Sequence, residues 1–197
     1  MSLRNKIKYL PDSEIKKAAD DILNKAYKMG LYNFKNSTPV DAIAENILKL
    51  KIIFHDLERN HKGVLGALDL QNNIIWLDQS LDHTETGQFV DEGRCNFTIA
   101  HEIGHCVLQG NVILDGGLLA FHNEFDPNTR RAEIQADKFS ANLLMPSELI
   151  FKKWNEDFAY IKTYNDTITA MINFFRVSRE AMQNRLKDLG LLNLSDY

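Results

Sequence analysis

An α+β fold, mostly helical with a small three-stranded and largely antiparallel sheet, is what the order of patterns in this chain predicts. Helical periodicity opens the sequence, three short β-rich runs cluster between residues 51 and 77, and helical periodicity then returns and holds to the C-terminus. Strands gathered in one stretch, rather than alternating with helices, argue against a parallel βαβ plan. At 197 residues, with 44% apolar and 25% charged side chains, the chain has the length and composition of one sizeable globular domain. Its formal net charge is −4 and no long run of Lys or Arg appears, which argues against nucleic acid as the main partner.

The elements follow in order. Pro11, Asp12 and Ser13 open a helix whose stripe reads Ile15, Ala19, Ile22, Ala26 and Met29, and Gly30 closes it. A second helix begins at Thr38, with Thr38 as N-cap, Pro39 in the first position and Asp41 at capping-box spacing. Val40, Ile43 and Ile47 form its apolar face. Residues 51–57, 64–70 and 74–77 read as strands, the last two joined by a tight turn at Gln71, Asn72 and Asn73. Residues 78–92 are polar and loop-like. Three parts are expected: an N-terminal helical extension (1–37), a core (38–146) and a C-terminal helical segment packed on it (147–197).

No stretch approaches the roughly 18 uninterrupted apolar residues of a membrane span, and residues 1–12 lack the apolar core of a signal peptide. Cys95 and Cys106 frame one expected helix. At about 1.5 Å per residue they stand roughly 16 Å apart, too far for a disulfide. Two free thiols and no export signal point to the cytoplasm.

Residues 96–109, NFTIAHEIGHCVLQ, carry an H-E-x-x-H sequence at His101, Glu102 and His105. Histidines four apart share one helix face, so both rings can reach one ion, and zinc is the ion this pattern suits. Glu102 is turned by about 100° from His101, a position from which it can flank a metal and act as general base. Phe97, Ile99, Ala100, Ile103 and Val107 give the helix an apolar setting. Two isolated histidines and a glutamate would be costly to bury there without partners. Catalytic zinc usually takes three protein ligands. Downstream, RRAEIQADKFSANLLM (130–145) places Glu133 and Asp137 four apart on another helix. Either carboxylate can be the third ligand while the other accepts the free N–H of a zinc-bound ring. The plainer role for Glu133 is a surface pair with Lys138 or Arg130.

HEIGH followed by EIQADKFSANLLMP resembles the ImmA/IrrE metallopeptidases, a gluzincin-like group, and the resemblance runs from about Thr38 to Leu191. It implies a zincin-like peptidase core. Zn2+ would be held by His101, His105 and Glu133, with Asp137 orienting a histidine and Glu102 as catalytic base. It also implies a protein substrate, a transcriptional repressor of helix-turn-helix type in a phage, mobile-element or stress-response circuit. Cys106, Gln109 and Ser140 depart from the pattern, and none is expected to touch the ligands.

His122, Tyr160 and Tyr164 are candidates to stabilise an oxyanion. His55, His61 and His83 read as structural or solvated. Cys106 reads as packing. An exposed strand edge near 64–70 or 74–77 is expected to take substrate in extended form. The competing reading is a non-catalytic, peptidase-like regulatory module. A DNA-binding version of it would use the C-terminal helices, where Arg176, Arg179, Arg185 and Lys187 gather; a helical cap on the core is the preferred role for that segment.

Overall fold

A computed structural model of the chain describes residues 7–59, 62–82, 89–113, 127–157 and 163–192. Helix α1 (Asp12–Lys28) buries Ile15, Ala19, Leu23 and Ala26. Leu23 thus takes the stripe position expected of Ile22, and Met29 is exposed. Asp12 and Glu14 in the first turn and Lys25 and Lys28 in the last complement the helix dipole. Gly30, at φ 73°, ends the helix in the left-handed region. The amides of Gly30 and Leu31 donate back to Tyr27 and Ala26.

Helix α2 (Val40–Ile43) runs on into a π-helical turn at Ala44–Leu48 and buries Val40, Ile43 and Ile47. Thr38 does not cap it. Its hydroxyl donates instead to the Leu143 carbonyl at 2.9 Å, satisfying an orphan acceptor at the end of a distant helix.

Strands β1 (Lys51–His55), β2 (Gly66–Asp69) and β3 (Ile74–Asp78) form a sheet of order β1-β3-β2. The β2–β3 hairpin is antiparallel, with Leu68 opposite Ile75, and Asn73 takes the left-handed conformation in its turn. β1 pairs parallel to β3, so the sheet is mixed. β3 therefore lies in the middle. Of the two runs expected to offer a free edge, 74–77 is paired on both sides and only β2 is an edge.

Helix α3 (Phe89–Ile113) begins inside the stretch read as a loop and packs most extensively against α4 (Pro127–Leu144). Gly104 permits the close approach: a Cβ there would meet the Ala136 Cα at 3.1 Å and its carbonyl oxygen at 3.2 Å. α1 lies on α4 as well, so the N-terminal helix is part of the same core as the ligand helices. Helix α5 (Ser147–Lys152) leads to α6 (Tyr164–Phe175) and α7 (Arg179–Asp188), which add Ile168, Met171, Phe175, Met182 and Leu186 to that core. Among the described residues no helix is long and apolar enough to cross a membrane.

Candidate metal centre

α3 is anchored by Ile99, Ala100 and Ile103, all buried, and this turns His101 and His105 toward α4. The two rings meet edge to face with centroids 4.6 Å apart, and their Nε2 atoms are 3.0 Å apart. From α4, Glu133 reaches into the same space. Its Oε2 lies 3.0 Å from His101 Nε2 and its Oε1 3.4 Å from His105 Nε2. One ligand atom from each of these three residues falls within 4.8 Å of the others.

The opposite ring nitrogens are also engaged. His101 Nδ1 is 2.9 Å from Asp137 Oδ1, and His105 Nδ1 is 2.8 Å from Gln109 Oε1. Each ring can therefore give its Nδ1 hydrogen to an oxygen and keep an Nε2 lone pair facing inward. The Gln109 contact corrects the expectation that this residue stays clear of the ligands. Gln109 lies four residues beyond His105, on the stripe that carries both histidines, and that spacing was the signal to follow.

The charges match a cation. Burial opposes the charged form of His101, yet hydrogen bonds to Asp137 and Glu133 outweigh it and raise the ring to about 10. Burial also pushes Glu133 up, and the two imidazoles overcome that and bring it down to about 2. Among the described residues, buried Glu133 Oε1 has no hydrogen-bond partner beyond the 3.4 Å approach of His105 Nε2. Ligands about 2.0–2.2 Å from a tetrahedral zinc stand about 3.3–3.5 Å apart. The spacings of 3.0 and 3.4 Å seen between these atoms are close to that. Two imidazoles and a carboxylate are also a donor set that zinc accepts. The residues fit the ion.

A family model described as IrrE N-terminal-like domain (Peptidase M78) matches residues 46–187. The chain belongs to this peptidase family. Among solved structures, a Mycobacterium tuberculosis transcriptional regulator shares the fold of this M78-family chain, with a TM-score of 0.57 and 13% identity over 91% of it. The chain spans 56% of that protein's length. No curated protein matches the sequence.

Glu102 stands apart from the converging trio and is only 5% exposed. Burial pushes its carboxyl up, with His105 and His101 pulling the other way. It faces β2: a Cβ on Gly66 would come 2.9 Å from Glu102 Oε1 and 2.5 Å from Thr98 Cγ2. Gly66 thus keeps the sheet edge close to the buried carboxylate.

Glu133 does not pair with Lys138, whose ammonium binds Asp12 at 2.6 Å. Ser140 donates to the Ala136 carbonyl within α4. Cys106 is half-buried against the core, and both cysteines are free. His55 lies on β1 edge-on to Trp76. Tyr164 packs on the core at the start of α6. His61, His83, His122 and Tyr160 fall outside the described residues. In the C-terminal helices, Arg185 is buried and donates to the Met145 carbonyl and Asn142 Oδ1. Arg176 pairs with Glu92, and Arg179 bonds the Thr169 hydroxyl.

Proposed function

We propose that this chain is a zinc-dependent endopeptidase of the cytoplasm that hydrolyses a peptide bond in a helix-turn-helix transcriptional repressor, in a phage, mobile-element or stress-response circuit. The observation that carries the reading is the convergence of His101, His105 and Glu133, which bring one ligand atom each within 4.8 Å of the others. These three residues hold the metal, and Asp137 orients the His101 ring. Bound there, zinc would polarise the scissile carbonyl and make a water acidic enough to attack near neutral pH.

Glu102 moves the proton. As the C–O bond forms and the C–N bond breaks, it accepts the proton of the attacking water and delivers it to the departing nitrogen. Its burial, which favours the protonated carboxyl, suits it to that second role. A purely structural metal site has no use for such a base.

Substrate in extended form adds to β2. The Asp78 amide donates to the Leu65 carbonyl, so by antiparallel alternation Leu65, Ala67 and Asp69 turn their main chain to β3. Gly66 and Leu68 then present theirs to the free edge, with Glu102 beside Gly66. Beyond Asp137 a cavity of about 440 Å³ opens between α3, α4 and α7, lined by Leu65, Phe97 and Met145 and by the charged Arg94, Glu180 and Asp188 among others. It has room for a side chain of the substrate. The repressor itself is suggested by the resemblance to ImmA/IrrE proteins.

Glu102→Gln tests the mechanism. The variant is expected to bind zinc in the same stoichiometry as the unmodified protein and to cleave a candidate repressor slower by about 10²–10⁴-fold. Unchanged cleavage would remove Glu102 from the chemistry.

A further inference from the structure

The two histidines are oriented by unlike groups. An ionised Asp137 only accepts hydrogen bonds, so its contact with His101 Nδ1 has one possible direction. Gln109 carries both a carbonyl and an NH2, and nothing in its own chemistry decides which end meets His105 Nδ1. The wrong end would present a donor to the ring and leave the Nδ1 lone pair, rather than its hydrogen, on that side.

The decision is made further along the chain of contacts. Gln109 Nε2 donates to Gln135 Oε1 at 3.2 Å, and Gln135 Nε2 donates to the Lys8 main-chain carbonyl at 2.8 Å. A carbonyl can only accept. Gln135 must therefore turn its NH2 to Lys8 and its oxygen to Gln109, which in turn must point its NH2 at Gln135 and its oxygen at His105. Both glutamines are only 3% exposed, so water does not readily rescue a reversed amide.

We propose that Gln109 and Gln135 are positioning residues that, with the Lys8 carbonyl, fix His105 as the tautomer whose Nε2 lone pair faces the metal position. The inference rests on the metal-centre reading above. Its anchor is itself clamped. Arg131 donates to the Ile7 carbonyl at 2.8 Å, Lys138 binds Asp12, and Ile7 is buried. Arg131, Gln135 and Lys138 recur along one side of α4, while Glu133 and Asp137 occupy the side facing α3. A segment outside the family-matched residues 46–187 thus sets the state of a ligand within them.

The test uses the full chain labelled with 15N-histidine, together with zinc affinity measured by chelator competition. In the metal-free protein His105 is expected to be protonated at Nδ1. Gln109→Met should lower zinc affinity about 10–100-fold, and Gln109→Glu, which still accepts from the ring but gives Gln135 no hydrogen, should restore part of it. Gln135→Met should give a mixture of His105 tautomers and a smaller loss, on the order of threefold to tenfold. Gln135→Glu, which can only accept from Gln109, should keep the tautomer, at a cost in stability because its carboxylate offers the Lys8 carbonyl no hydrogen. If both Gln135 variants give the same mixture of His105 tautomers, hydrogen-bond direction is not what sets the ring and the proposal fails. It also fails if Gln135→Met leaves tautomer and affinity as in the unmodified protein. If the unmodified protein does not bind zinc, the metal-centre reading falls, and the 15N spectra of the metal-free variants still decide the hydrogen-bond chain.

Discussion

The α3–α4 pair and the α6–α7 pair are both two-helix units carrying several charged side chains, and they use them in opposite ways. Between α3 and α4 the ring nitrogens of His101 and His105 and the carboxylate of Glu133 turn on one another, with one ligand atom of each within 4.8 Å of the others. Around α6 and α7 the arginines each end on a partner that belongs to the scaffold: Met145 and Asn142 for Arg185, Glu92 for Arg176, Thr169 for Arg179. Charge density does not separate a site from a scaffold. The destination of each hydrogen bond does.

The strongest way to break this contrast is Glu133→Ala. Removing a ligand should weaken zinc binding by more than the roughly 10–100-fold that an outer partner of a ligand commands, as read by chelator competition. Affinity equal to that of the unmodified protein would move the third ligand elsewhere. Changing pH probes the same convergence. Metal and proton compete for His101, whose ring is raised from 6.5 to about 10 in the metal-free protein. Zinc affinity should therefore climb about tenfold per pH unit between roughly 7 and 9. Stability of the metal-free protein runs the other way. A raised folded-state value gives a contribution that is complete below the unfolded value of 6.5 and is lost as pH rises through about 10. Thermal unfolding should show the metal-free protein weakening over that window, with the zinc-loaded protein weakening less. Parallel declines would mean that zinc and the proton do not share the ring.

How much of this was legible in the sequence follows from the range of each interaction. His101 and His105 were legible because a four-residue spacing on one helix is local geometry. Glu133 and Asp137 were legible as a pair, but which one meets which nitrogen depends on how α4 docks on α3, and that docking is set by the Gly104–Ala136 approach. The β2–β3 hairpin was legible from its turn. The parallel pairing of β1 was not, because two short apolar runs at 51–57 and 74–77 carry no signal of mutual register. Gln109 was overlooked because an amide does not advertise itself as a histidine's partner, although its spacing did. The Gln135–Lys8 contact joins positions 127 residues apart, and nothing local encodes it.

Arg185→Met sharpens the scaffold half of the comparison. The guanidinium is buried and serves two oxygens, one of them the Met145 carbonyl just past the end of α4. Hydrogen bonds to a charged group are worth about 1.5–3 kcal/mol, so a loss of that order is expected in urea unfolding. Zinc affinity of the folded protein should stay where it was. A large fall in affinity without loss of stability would make α7 part of the metal centre.

The smallest effect is expected at Arg176, and it is informative for that reason. Its side chain is more than half exposed, and its ion pair with Glu92, at 2.6 Å, lies near the surface. Pairs of this kind contribute about 0–1 kcal/mol because solvent screens them. The contact that fastens this corner, from Asn96 Nδ2 to the Arg176 carbonyl, belongs to the main chain and survives the substitution. Arg176→Ala should therefore change unfolding by less than about 1 kcal/mol and leave zinc affinity untouched. If these helices were instead a DNA-reading unit, removing Arg176 would weaken duplex binding and flatten its dependence on salt. A gel shift at low ionic strength separates the two cases: no shifted band is expected with either protein, and a band that fades in the variant would turn the scaffold pair into a second site.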